Sequence, residues 1–225
     1  MLKAEDLKKT IADQIAGALR IKILKGEYTD GEHLNEVRIA EIYNVSRGPV
    51  RDAVKMLEKE GLASTPRSGR TTALSFSKKD FIDYHKLRFY LEKEAISTII
   101  RSAPRDTGYE TWLKVLGQYI TAMENGINPY NEDLFNANDY RFHYALMKKA
   151  NNRIMMNVWE SYNGLRSAIM VVNSQYLSFE KVVDQIFAPH LDMYNCLKSR
   201  NLEGALLSAR KHIDNSIKIY EAAYK

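Results

Sequence analysis

Two groups of residues in this 225-residue chain have types and spacings that could do chemistry. Asp139 and His143 stand four residues apart. On a helix that spacing puts their Cβ atoms about 5 to 6 Å apart on one face, which suits two ligands of a single metal ion. Two ligands alone are weak support, and His143 beside Phe135, Phe142 and Leu146 reads more simply as a core histidine. The second group is basic. Arg47, Arg51 and Lys55 recur at i, i+4, i+8, and Arg67 and Arg70 flank Gly69 a little further on. An arginine carried into the DNA major groove can fork onto O6 and N7 of guanine, worth about 1 to 3 kcal/mol of discrimination. Taken singly, each of these arginines is as well explained by solvation or an ion pair at the surface. His33 and His85 have no such company and read as surface or packing residues.

The elements that must hold the basic group are legible. In Asn44-Val45-Ser46-Arg47-Gly48-Pro49-Val50-Arg51, Ser46 suits an N-cap whose hydroxyl accepts from a first-turn amide, and Pro49 falls where a missing N–H costs nothing. A helix is therefore expected from Arg47 to Glu60, stopping at Gly61, with Val50, Ala53, Val54 and Leu57 turned into a core and the basic stripe turned out. Ile11, Ile15 and Leu19 mark a helix over 4–25 closed by Gly26. Thr29-Asp30-Gly31 reads as a turn. Asn35 caps a short helix to Tyr43 with Val37, Ala40 and Ile42 as its apolar contacts, and Asn44 tolerates the positive φ that ends it. Two short strands, 62–65 and 70–76, surround Pro66-Arg67-Ser68-Gly69. Three helices and a hairpin make a winged helix-turn-helix.

Ser77 and Asp80 imitate a capping box and open a second region with helical period throughout. Helices are expected over 80–102, 107–125, 131–150, 153–172, 178–200 and 201–224. Thr107 and Glu110 cap the second of these, and Trp112, Leu116, Tyr119 and Met123 share one of its faces. Pro189 must kink the fifth or restart it. The fold class is thus mainly α, with a winged helix-turn-helix over 1–76 and an all-helical bundle over 77–225.

Composition narrows the function. The formal net charge is +5, of which residues 1–78 carry +3 (14 basic, 11 acidic), so bulk charge permits nucleic-acid binding without establishing it. Cys196 is the single cysteine, which rules out an intrachain disulfide and Cys-based zinc sites. No run approaches the roughly 18 apolar residues of a membrane span, and Met1-Leu2-Lys3-Ala4-Glu5-Asp6 lacks the blocks of a secretory signal, so a cytoplasmic protein is expected. A metal-dependent hydrolase is the rival class. It is disfavoured because no His-Glu-x-x-His helix, paired catalytic carboxylates or serine elbow supplies a general base.

Leu34-Asn35-Glu36, Ile39-Ala40, Val45-Ser46-Arg47-Gly48-Pro49-Val50-Arg51-Asp52-Ala53 and Leu57-Glu58-Lys59-Glu60-Gly61-Leu62 closely resemble the GntR family of bacterial transcription regulators. The helical remainder resembles the effector-binding domain called FCD, through Arg88-x-x-Leu91-Glu92, Asp139-x-x-Phe142-His143, Asn151-Asn152, His190 and Ala209-x-x-His212. The resemblance implies a homodimer on a double-stranded DNA operator, gripped by Ser46, Arg47, Pro49, Arg51 and Lys55, with a wing of Arg67, Gly69 and Arg70 in or near the minor groove. It implies a divalent-metal site of Asp139, His143, His190 and His212, for which zinc, nickel, manganese and iron all suit the ligand types. It also implies a small carboxylate effector held by Arg88, whose alternative is a pair with Glu92 at i+4; Arg166 is a second candidate. The protein expected is a ligand-responsive repressor, and its alternative a winged-helix regulator with a purely structural metal.

Overall fold

The computed structural model of the chain describes residues 10–67, 69–176 and 178–223, which fall into two compact units. The first holds the described residues up to Lys78 together with Glu160–Gln175, and the second holds Lys79–Trp159 and the described residues from Tyr176 onward. A cut at 76/77 alone would leave residues 160–175 with the second unit.

In the first unit α1 (Ile11–Leu24) opens on Thr10, whose hydroxyl accepts from the Asp13 amide while the Asp13 carboxylate accepts from the Thr10 amide. This reciprocal cap starts the helix at residue 11; of the expected earlier turns, residues 4–9 lie outside the described residues. Ile15 and Leu19 are buried as expected, but Ile11, in the first turn, is 52% exposed. In α2 (Glu36–Ile42) the Asn35 side chain accepts from the amides of Val37 and Arg38. Its buried face is Ile39 and Ala40; Val37 and Ile42, expected inside, are 47% and 58% exposed. Asn44, at φ 52°, turns the chain into α3 (Arg47–Lys59). Val50, Ala53, Val54 and Leu57 are all buried, so the phase of this helix follows its sequence. Ser46 stands at the N-cap in extended conformation, but its hydroxyl makes no capping bond, contrary to expectation.

Strand β1 (Ala63–Ser64) pairs antiparallel with β2 (Thr72–Ala73) in the register Ala63↔Ala73 and Ser64↔Thr72. The turn at Thr29-Asp30-Gly31 forms, with the Glu32 amide donating to Thr29, and the chain leaving it contributes a third edge to this wing: Gly31 and Leu34 donate to Ala73 and Thr71, Ala73 donates to Glu32, and His33 bridges Thr72. At the wing tip Gly69, at φ 80°, donates to the Pro66 carbonyl; Ser68 lies outside the described residues.

The expected helix over 153–172 is two helices, α7 (Arg153–Ser161) and α8 (Asn163–Tyr176), broken at Tyr162. A Cβ on Gly164 of α8 would lie 2.5 Å from the Arg20 guanidinium carbon, so α8 comes this close to α1 only because residue 164 has no side chain. Arg20 itself is buried and forks onto Glu60, the C-cap of α3, with Nε and Nη2 donating at 2.6 and 2.7 Å.

The second unit contains α4 (Lys78–Ser102) from residue 79 onward, α5 (Tyr109–Asn125), α6 (Glu132–Lys149), α7 as far as Trp159, α9 (Val183–Lys198) and α10 (Leu202–Ala223). Helix α5 begins after Gly108 with no side-chain cap, so the expected Thr107/Glu110 box is not formed; Asp106 accepts from the Gly108 amide instead. Its buried face is Tyr109, Leu113, Leu116, Ile120 and Met123, with Trp112 and Tyr119 only partly covered. Helix α5 packs on α6 and α9, and α9 on α10. Pro189 neither starts nor stops α9, which begins at Val183 and runs through it.

Candidate metal centre and nucleic-acid interface

Helix α6 carries Asp139 and His143 one turn apart, α9 brings His190 and α10 brings His212. One ligand atom from each of the four lies within 4.8 Å of every other, and all four residues are buried. His190 Nε2 is 3.1 Å from Asp139 Oδ1 and 2.9 Å from His143 Nε2. His143 Nε2 is 3.7 Å from the same Asp139 oxygen. The imidazole centroids of His143, His190 and His212 are 4.4 to 5.0 Å apart, with Phe142 edge-on to the first two.

The outward nitrogens decide what the inward ones can do. His190 Nδ1 is 2.8 Å from the Ile186 carbonyl, which can only accept, so Nδ1 carries the proton and Nε2 faces the cluster. His143 Nδ1 is 3.1 Å from Glu92 Oε2, an ion-pair distance without hydrogen-bond alignment, and a proton on that nitrogen leaves Nε2 as the inward lone pair. Burial lowers the His143 pKa to about 4, reinforced by the charge of Arg88 and opposed by Glu92, and burial carries His212 well below the ordinary histidine value. A neutral His143 therefore presents a lone pair beside a carboxylate oxygen and a second imidazole nitrogen. Nitrogens this close either share a proton between the rings or are drawn together by a bound cation. Neither ring nitrogen of His212 has a hydrogen-bond partner among the described residues. Orphaned buried nitrogen, neutral imidazoles and one carboxylate fit a divalent ion. Donor atoms about 2.1 Å from a common centre stand at most ~4.2 Å apart, a contraction that small torsional changes supply.

Arg88, on α4, makes the intrahelical pair that is the alternative to holding a carboxylate: its Nε donates to Glu92 Oε1 at 2.7 Å, with both side chains buried. Burial alone would lower the arginine's pKa, but Glu92 more than offsets it, and the pair holds Glu92 ionised, at about 2, against its own desolvation. Arg88 Nη2 is buried with no hydrogen-bond partner among the described residues. The Arg88 pair and the metal candidates thus meet at Glu92, whose second oxygen faces His143, a link invisible in the sequence. Arg166 is buried on α8, which belongs to the first unit.

In the first unit Arg47, Arg51 and Lys55 project from α3 with side chains 55%, 57% and 69% exposed. The sequence reading missed their partner. Glu36, at the start of α2, lies 3.1 Å from Arg51 Nε and 3.7 Å from Arg47 Nη2, so one carboxylate holds both arginines on the same side of α3. Lys55 sits 3.7 Å from Asp52, and Arg67 and Arg70 are exposed on the wing. Pro49 is in the first turn of α3. Among the described residues no helix is long and apolar enough to cross a membrane.

The family of bacterial regulatory proteins named gntR matches residues 11–72, and the FCD domain matches residues 83–215. The chain is 27% identical over 204 residues to the uncharacterized HTH-type transcriptional regulator YdhC of Bacillus subtilis, covering 90% of this chain and 87% of that protein. It is 22% identical over 225 residues to the gluconate operon transcriptional repressor of the same organism, covering 96% and 90%. The solved structure of E. coli McbR/YncC shares the fold, with a TM-score of 0.70 at 16% identity over 96% of this chain and 99% of that one. The two curated relatives are named as regulators of transcription. The winged helix-turn-helix, the helical unit with its buried Asp/His set and these matches agree, and the chain belongs to the GntR family of bacterial transcription regulators, in the branch that carries an FCD domain.

Proposed function

We propose that this regulator is a homodimeric repressor whose hold on a double-stranded DNA operator is set by a small organic acid bound beside a divalent metal ion. The observation that carries the reading is the convergence of Asp139, His143, His190 and His212 next to a buried arginine whose Nη2 has no hydrogen-bond partner among the described residues. The ion, when bound, supplies Lewis acidity and open coordination positions for a carboxylate oxygen. Arg88 donates to the carboxylate's other oxygen, because its Nε is already held by Glu92 and its Nη2 is free to turn to the ligand. The donor set accepts zinc, nickel, manganese or iron.

The residues up to 76 grip DNA and those from 77 onward sense and dimerise. Arg47, at the start of α3, reads guanine; Arg51, Lys55 and the α3 N-terminus at Ser46 and Pro49 hold phosphate, and Arg67, Gly69 and Arg70 place the wing. Two copies are needed because a single small module binds weakly, and the ligand acts by its different affinity for two arrangements of the paired α3 helices. The protein works in the cytoplasm, where its DNA is. The repressor named among its relatives supports the direction of control. Complete burial of the four ligands favours one second reading, a purely structural metal with no effector.

Native mass spectrometry of the purified protein, followed by gel shifts on its own promoter region with and without chelator, tests the proposal. A dimer carrying metal and a small acid, with chelation abolishing the acid's effect on the shift, is expected. Failure to shift that DNA at any salt concentration sinks the regulatory reading. Unfolding on chelation with no ligand response selects the structural metal.

A further inference from the structure

We propose that Glu92 is a positioning residue that couples the metal centre to recognition of the ligand carboxylate, fixing His143 with one oxygen and Arg88 with the other. The inference rests on the metal-and-acid reading above and adds the residue through which its two halves communicate.

An Arg and a Glu four apart on a helix are usually a solvated surface pair of small energetic worth. Here the pair is turned inward: Glu92 is 1% exposed, and Arg88 is buried beside it. Two apolar side chains would fill the same space at no cost in desolvation, so a packing role alone does not call for these charges. Both carboxylate oxygens are used. Oε1 accepts from Arg88 Nε at 2.7 Å, which holds the guanidinium plane and leaves Nη2 buried and unpartnered. Oε2 lies 3.1 Å from His143 Nδ1 without hydrogen-bond alignment, so a small turn of the ring lets it hold the proton on that nitrogen and leave the Nε2 lone pair toward Asp139 and His190.

The consequence is a linkage. A cation that draws on His143 Nε2 strengthens the Nδ1–H contact to Glu92 and stiffens the carboxylate that aims Arg88. A carboxylate seated on Arg88 Nη2 steadies the same residue from the other side. Metal and carboxylate therefore raise each other's affinity by the same factor. Glutamine is isosteric but has one acceptor oxygen and one amino donor, so in Glu92→Gln either His143 Nδ1–H or Arg88 Nε–H faces a donor.

Three measurements test this. In the metal-free wild type, the 15N shifts of the His143 ring, assigned with His143→Gln, are expected to report a proton on Nδ1; a dominant Nε2–H form overturns the proposal and requires no variant of Glu92. Titration calorimetry with Ni2+ is expected to give an affinity 10- to 100-fold weaker in Glu92→Gln than in wild type, with thermal unfolding confirming that both are folded. Equal affinities overturn it. Saturating acetate is expected to tighten Ni2+ binding in wild type and not in Glu92→Gln; no effect in wild type overturns the coupling. A wild type that binds no ion defeats the metal reading on its own, and the His143 tautomer still decides whether Glu92 holds that ring.

Discussion

Asn215 on α10 donates from Nδ2 to the Gln185 carbonyl on α9 at 2.8 Å. Gln185 is the residue whose helical acceptor would be served by the amide at position 189, and Pro189 has none. The proline that enters α9 one residue before His190 is thus made good by the helix that carries His212. Asn215→Leu should lower stability by about 0.5 to 1.5 kcal/mol, since the carbonyl is partly exposed and water can take some of the loss. In Pro189→Ala, where the backbone supplies its own donor, the same substitution should matter less. Thermal unfolding of the four combinations checks this; equal losses in both backgrounds refute the compensation.

Arg20 and Glu60 are a buried, forked pair that ties α1 to the end of α3. Removing one partner strands the other charge, so Arg20→Leu or Glu60→Leu should each destabilise by about 3 to 5 kcal/mol, and the double variant by less than either. Urea unfolding would reveal the opposite order if the pair were no more than a surface contact.

On DNA, Arg47→Ala should cost about 1 to 3 kcal/mol on the operator and little on unrelated sequence. Arg51→Ala should weaken both alike and reduce the slope of log K against log salt by about 1. Glu36→Gln releases both arginines and should narrow the ratio between operator and unrelated DNA. Fluorescence anisotropy across a salt series separates the three. A uniform loss from Arg47→Ala would reassign it to phosphate.

Metal should stabilise the folded chain by mass action: at one hundred times its Kd the gain is about 2.7 kcal/mol. Zn2+ or Ni2+ should therefore raise the melting temperature of the wild type and EDTA should reverse it, with Asp139→Asn and His212→Ala indifferent to both. Absence of any shift with zinc, nickel, manganese and iron would leave the buried Asp/His set without an ion to hold.

Arg88→Met preserves most of the apolar stem and removes the fork. It should leave Ni2+ binding within a few-fold and abolish the acetate effect. Unchanged acetate response would place the carboxylate elsewhere.

Local order was readable wherever a short-range rule governs it. The phase of α3, the Asn35 cap and the turns at Asn44 and Gly61 follow from side-chain period and backbone preference within a few residues. Where neighbours set the burial, the period misled: Ile11, Val37 and Ile42 belong to apolar patterns yet stay exposed, and α5 turns Leu113 and Ile120 inward while Trp112 is only half covered. A helix shows its own apolar stripe but not how far the next helix covers it.

The candidate site divides along the same line. By itself the sequence determined that Asp139 and His143 share a face, because four residues are one helical turn, and that Arg47, Arg51 and Lys55 form one stripe. The resemblance to a family brought in His190 and His212, and the tertiary structure decided that they meet the first two, since four ligands on three helices converge only through packing. Tertiary structure alone put Glu36 between two arginines and Glu92 between Arg88 and His143. Apart from Arg88 and Glu92, which are one turn apart on α4, those contacts join residues on different helices, and no spacing along one chain segment encodes the distance between two.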